Sequence, residues 1–407
     1  MMRAATLSRG AAAALLTGAL ATLSAAPVGA QETRAAVDVS AGASYSTNPF
    51  LIRDRGRDTG AFATELAITP QVTFLDERNE ATLLARYSRS DYLTRYSAAE
   101  LYGVAAQARR AMTPTLNARA DLSFDSSIIG QNGLGVVGVV DPTPGPDLGT
   151  PDIAVIGLNQ RQNAIVAALG ADWRVAPRDT LTGQVSINRI SYGRESGALL
   201  SSRSTAATVG YSRALSERTS VGLQGSGTWI DYDRPGYSGH TYAPQATLTH
   251  QVNQQLNFTL GAGVIFVSST TPAGTSNVTG FSGNFNGCRT AGRSTQCVRA
   301  YSDAQPTGLG DVSRRWGGAF DYSYRLREND VLRASVDYSR LTATSDITLQ
   351  APRVEYLNAS VAYERAVTRR LFAGASVGYR QASVSGLGTP SDTIFRLFLR
   401  TRLGDRR

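Results

Sequence analysis

The 407-residue sequence contains no lysine, two cysteines, two histidines and three methionines, and only 18% of its residues are charged. Each shortage removes a class of protein. Two histidines and two cysteines, none in zinc-finger spacing, leave no metal site and no expected metal or cofactor. No glycine-rich loop sits between a strand pattern and a helix pattern, so a phosphate-cradling fold is excluded. Beyond residue 30 no uncharged apolar run approaches the ~20 residues of a membrane-crossing helix. Mean hydropathy is −0.17, which also argues against a helical membrane bundle. Sustained apolar stripes at helical spacing are missing as well. The absence of lysine makes every basic residue an arginine, for which a GC-rich coding bias is the simplest reading. No nucleic-acid partner is expected.

Alternation is what remains. In Thr219–Tyr232, Val221, Leu223, Gly225, Gly227 and Trp229 share one face, and Ser220, Gly222, Gln224, Ser226 and Thr228 share the other. Side chains alternate along a strand, so the segment has one apolar and one small polar wall. Variants of this segment recur along the chain. Val37, Val39, Ala41, Ala43 and Tyr45 repeat it, as do Leu116, Ala118, Ala120, Leu122 and Phe124, and finally Phe395, Leu397, Leu399, Thr401 and Leu403. The last of these is followed by Gly404-Asp405-Arg406-Arg407 rather than by a terminal aromatic residue.

The first residues read differently. Arg3 and Arg9 precede an apolar stretch from Gly10 to Leu23, and Val28-Gly29-Ala30 supplies small residues for cleavage. Residues 1–30 are expected to be a secretory signal peptide and 31–407 the mature domain. Loss of the two arginines takes the formal charge from +9 to +7.

About sixteen strands are expected, with short links after even-numbered strands and longer loops after most odd-numbered ones, as in an outer-membrane barrel. The expected fold is thus all-β: one antiparallel up-and-down barrel with both termini periplasmic. Tyr45, Tyr87, Phe124, Trp173, Tyr192, Tyr211, Trp229, Tyr232, Tyr338, Tyr363 and Tyr379 lie near strand ends, as interfacial girdles do. The expected location is the bacterial outer membrane, with lipid, lipopolysaccharide and the barrel assembly machinery as partners. A soluble propeller or sandwich is disfavoured by strand length.

By alternation the inner wall carries Arg86, Arg119, Asp121, Arg174, Arg325, Arg333, Asp337, Arg380, Arg396 and Arg400, the candidate pore lining. A basic lumen would favour anions, whereas Arg and Asp on one face could simply pair across strands. Cys288 and Cys297 fall within the longest expected loop, 269–311, where a disulfide in an oxidising compartment would stiffen an outer loop. His240, near Asp231, Asp233 and Ser238, falls at the opposite rim from His250, so no catalytic site is expected. Arg110, Arg178, Arg218, Arg327, Arg369 and Arg370 gather on the short-turn rim, which reads as a solvated edge.

The opening strand VDVSAGASYSTNPF, closing on Tyr45 and Asn48, resembles the start of outer-membrane barrels in the β-barrel porin 2 group. That resemblance implies a porin-like channel and, because members accompany exopolysaccharide export genes, polysaccharide or periplasmic export partners. The competing expectation is a plugged barrel whose loops 128–160 and 269–311 bind a partner.

Overall fold

The structure is a computed structural model that describes residues 32–53, 59–129, 152–193, 199–343, 353–385 and 388–404. The expected signal peptide and most of loop 128–160 lie outside the described residues. The strands are β1 (Glu32–Ser46), β2 (Ala61–Leu75), β3 (Asn79–Tyr92), β4 (Ala99–Thr113), β5 (Leu116–Ile128) and β6 (Arg161–Ala176). They continue with β7 (Asp179–Tyr192), β8 (Ser202–Ser216), β9 (Thr219–Tyr232), β10 (Ser238–Asn253), β11 (Leu256–Thr271) and β12 (Gly274–Ala291). The last six are β13 (Ser294–Pro306), β14 (Val312–Arg327), β15 (Asp330–Thr342), β16 (Val354–Ala366), β17 (Leu371–Val384) and β18 (Ser391–Gly404).

Each strand pairs antiparallel with its neighbours in sequence, and β18 pairs with β1 from Ala36↔Gly404 to Ser46↔Ile394, so the 18-stranded sheet closes on itself. Closure removes the free edges that would otherwise template aggregation. The barrel thus has 18 strands rather than about sixteen. The extra pair is β12 and β13, which occupy most of the expected loop 269–311. That stretch is poor in large apolar residues, and its strands are recognisable only through their ladder to β11 and β14.

Four of the short turns share a device. The side chains of Asp76, Thr113, Asn253 and Thr368 each accept the backbone N–H three residues on, at 2.7, 3.0, 2.9 and 3.0 Å. A short polar side chain that satisfies its own turn is why Asp, Asn, Ser and Thr mark these positions. All four lie at one rim, where β1 also begins and β18 ends. At the other rim the connections are mostly longer, but the link through Pro272 and Ala273 is as tight as any turn below.

The wall is two-sided. Leu169, Leu223 and Leu397 stand outward, 68, 67 and 67% exposed. Outward aromatic pairs bridge neighbouring strands near the long-loop rim: Tyr45–Phe62, Tyr102–Phe124, Trp229–Tyr242 and Trp316–Tyr338, with ring centroids 4.7, 6.0, 6.2 and 5.4 Å apart. Tyr192 and Tyr232 depart from the expected girdle. They point inward and are bound by loops inside the barrel.

Candidate channel lumen and its outer plug

Arg396 on β18 donates to Glu65 on β2 at 2.6 Å, and both side chains are about 95% buried. The contact passes over β1, where Ser44 donates to the same carboxylate at 2.8 Å. Arg400 bonds Glu364 on β16 at 2.8 Å and Asp38 on β1 at 3.3 Å. Arg402 adds a contact to Asp38 at 2.9 Å, and Arg380 closes on Asp392 at 2.6 Å. The result is a ladder of buried ion pairs along the inner face where the barrel closes. A buried guanidinium is tolerated when its charge is paired, and here each one meets a carboxylate one or two strands away.

Several contacts on the inner wall skip a strand, and at two of them the skipped strand carries a glycine. Arg86 on β3 pairs with Asp125 on β5 across Gly103, where a Cβ would lie 3.1 Å from the Asp125 carboxylate and 3.2 Å from Arg86 Nε. Arg119 on β5 reaches Gln184 on β7 at 2.7 Å across Gly170, where a Cβ would come within 2.6 Å of Arg119 Nε.

The predicted pore-lining residues therefore divide. Arg380, Arg396 and Arg400 are locked in the ladder. Arg333 lies 3.8 Å from Glu364, and Arg86 and Arg119 are held by their strand-skipping partners. Arg119 does not pair with Asp121, nor Arg333 with Asp337; neither aspartate has an ion pair among the described residues. Arg174 and Arg325 are exposed at the short-turn rim, as are Arg110, Arg178, Arg218, Arg327, Arg369 and Arg370.

The opposite arc is different. Among the described residues, the inward positions of β7 to β12 carry no charge. Gln184, Gln224, Gln245, Ser282 and Asn284 represent the lining, and Gln245 Nε2 donates to Ser282 Oγ at 2.5 Å. One side of the lumen is an arginine–carboxylate wall and the other a hydroxyl–amide wall.

At the long-loop end the connections fold into the barrel. The single helical turn Ile153–Val155 belongs to the β5–β6 connection, yet packs on the far side against β16. Ile153, Val155 and Ile156 are buried with Leu51 from the β1–β2 loop and Leu199 from the β7–β8 loop. The inner faces of β15 to β17 receive them through Leu341, Val354, Ala382 and Val384. The β1–β2 loop is pinned by Asn48 N–H to Asp392 at 2.9 Å, by Arg380 to the Pro49 carbonyl at 3.2 Å, and by Arg53 to the Ile156 carbonyl at 2.9 Å. A second apolar cluster joins Leu200 to Ile230, Tyr232, Ile265, Val267 and Val312. Leu199 belongs to the first cluster and Leu200 to the second, so consecutive residues join a cluster on β15–β17 to one on β9–β14.

Sequence reasoning missed Asp38 and Asp392, and its competing expectation of a plugged barrel named loops 128–160 and 269–311 but not the β1–β2 loop. The alternation opposite Val37 and Val39 marks Asp38. Short apolar runs inside polar loops, Phe50-Leu51-Ile52 and Ile153-Ala154-Val155-Ile156, were the available sign of the plug.

Cys288 and Cys297 are bonded to each other, but not in an outer loop. They sit directly opposite in the β12–β13 ladder, close to the turn at Gly292, at the short-turn rim. The expected stiffening of an outer loop is therefore replaced by a staple across a hairpin. Reduction is expected to cost the hairpin about 2–3 kcal/mol, the value for so small a loop. Intact mass after alkylation should show no free thiol before reduction, and the unfolding midpoint should fall after it. An unchanged midpoint would mean that the ladder alone holds the hairpin.

His240 faces Ser268 near one rim, and His250 bonds Thr219 Oγ1 at 2.9 Å near the other. The two histidines share no site.

No family model matches the chain, and no curated protein does. Similar solved structures include OccK9 (OpdG) of Pseudomonas aeruginosa, at 12% identity and TM-score 0.46, covering 92% of this chain and 99% of that one. A BenF-like porin of Pseudomonas fluorescens Pf-5 has 11% identity and TM-score 0.46 over the same shares, 92 and 99%. The siderophore receptor PirA of Pseudomonas aeruginosa has 9% identity and TM-score 0.41, covering 91 and 80%. Likenesses this distant carry no functional argument, and the barrel is established by its own strand pairing.

Proposed function

We propose that this chain is an outer-membrane channel of the bacterial envelope, a porin-like conduit for small polar solutes whose own loops hold the outer mouth closed at rest. The observation that carries this reading is the closed, two-sided wall. A ladder without edges leaves no strand with an unpaired side, the condition for lying in hydrocarbon. Apolar side chains face outward and charges inward, where a barrel of this size has room for water. Lipid and lipopolysaccharide would meet the outward belt, the barrel assembly machinery would insert it, and residues 1–30 would direct export. The paired ladder leaves little free charge inside, so the exposed Arg174 and Arg325 at the short-turn rim would set a mild anion preference.

A second reading, exit of an exopolysaccharide, is favoured by the uncharged arc of β7–β12, a surface over which sugar hydroxyls can exchange hydrogen bonds. One experiment addresses both. In a planar bilayer with a salt gradient, the folded protein should show brief conductance steps and an anion-leaning reversal potential. For the export reading, a neutral oligosaccharide added to one chamber should interrupt the current. Permanent silence, even after the plug is disrupted by substitution, would remove the channel reading.

A further inference from the structure

The two loops that meet inside the mouth touch through aspartates. Asp152, which caps the helical turn, accepts Gly308 N–H at 2.6 Å, Ala154 N–H at 2.9 Å and the Tyr192 hydroxyl at 3.0 Å. Gly308 belongs to the β13–β14 loop, so one carboxylate ties the β5–β6 loop to it. That loop is closed by Asp311, whose carboxylate accepts Thr307 Oγ1 at 2.6 Å and Ser313 Oγ at 3.4 Å. The Tyr232 hydroxyl donates to the Asp311 carbonyl at 2.6 Å, and Leu200 N–H to the Gly308 carbonyl at 2.8 Å. Asp152 and Asp311 are 3 and 6% exposed. Among the described residues the titratable groups facing them are Tyr192 of β7, Tyr232 of β9 and each other, and β6 contributes the neutral Gln162. Among the described residues neither carboxylate has an ion pair, although the same barrel pairs the carboxylates of its ladder with arginine.

We propose that Asp152 and Asp311 form an acid-locked latch: the plug is closed while these carboxyls keep their protons and loosens as they ionise, so the mouth opens as pH rises. The inference rests on the channel reading for its consequence but not for its mechanism. Among the described residues an ionised carboxylate in this cluster meets no cation, and two of them repel; outside it, water solvates both. Burial pushes both carboxyls above the ordinary carboxylate range, against the hydrogen bonds that pull them down. A group whose affinity for protons is higher in the closed state stabilises that state fully below its solvated value, near pH 4. The contribution fades as pH rises through the raised value.

The test is hydrogen exchange, corrected for intrinsic rates, in peptides covering 152–156 and 307–311 of the folded full-length protein, beside bilayer recordings, from about pH 4 to about pH 8. Protection of both peptides should fall by about tenfold or more across that range. The strand peptides of β16 and β17 should not change. Asp152→Asn with Asp311→Asn, which cannot ionise, should flatten the dependence, and each single variant should flatten it in part. Protection that is constant with pH in the unsubstituted protein overturns the latch, and so does an unchanged dependence in the double variant. If exchange responds as expected but no current appears at any pH, the latch stands and the channel reading falls.

Discussion

Glu65→Ala is expected to destabilise the folded barrel by about 3–5 kcal/mol, the cost of leaving a buried guanidinium without its partner. Arg396 has two contacts to this carboxylate, at 2.6 and 3.3 Å, and its side chain is only 4% exposed, so water cannot replace what is lost. Ser44 would lose its acceptor at the same time. The comparison is Arg89→Ala on the long-loop rim. Arg89 bonds Asp91 at 2.7 Å, but the two side chains are 44 and 48% exposed, and an exposed, solvent-screened pair contributes far less. Denaturant midpoints in detergent micelles would separate the two. Equal losses would mean that the ladder is open to water and that its low exposure overstates its burial. Glu65→Gln keeps an acceptor for Ser44 and Arg396 and should lose less than Glu65→Ala.

Charging the plug should open the mouth. Leu51 and Val155 are both 0% exposed and pack in the cluster that covers the inner faces of β15 to β17. Leu51→Asp with Val155→Asp would place unpaired carboxylates among apolar side chains. Even about 3 kcal/mol of resulting destabilisation shifts closed against open roughly a hundredfold. Brief conductance steps should become long-lived ones, while the β18–β1 closure, made of strand pairs the substitutions do not touch, keeps the barrel folded. Open times that do not lengthen in a barrel that still migrates as folded would place the restriction elsewhere in the lumen.

Much of this was legible from the chain. Val221, Leu223, Trp229, Phe395, Leu397 and Leu399 point outward as their alternation requires, because a strand has only two faces and one of them must be apolar. Arg86, Arg119, Arg396 and Arg400 take the other face, where Asp125, Gln184, Glu65 and Glu364 hold them. The miscount arose at β12 and β13, where Gly274–Gly287 offers Asn, Ser, Thr and Gly on both phases. With no apolar rhythm, only backbone pairing with β11 and β14 makes strands of these residues. Cys288 and Cys297 followed that error: their pairing could be read from number and compartment, but their place at the short-turn rim depended on the register Cys288↔Cys297.

The sequence by itself determined the wall: its strands' two faces and its turns, local consequences of alternation and short polar side chains. Tertiary structure decided the interior. Arg396 meets Glu65 and Asp152 meets Gly308 across separations of 331 and 156 residues. Such contacts exist only once β18 has closed on β1 and the loops have turned inward, because closure, not local preference, sets which side chains share the lumen.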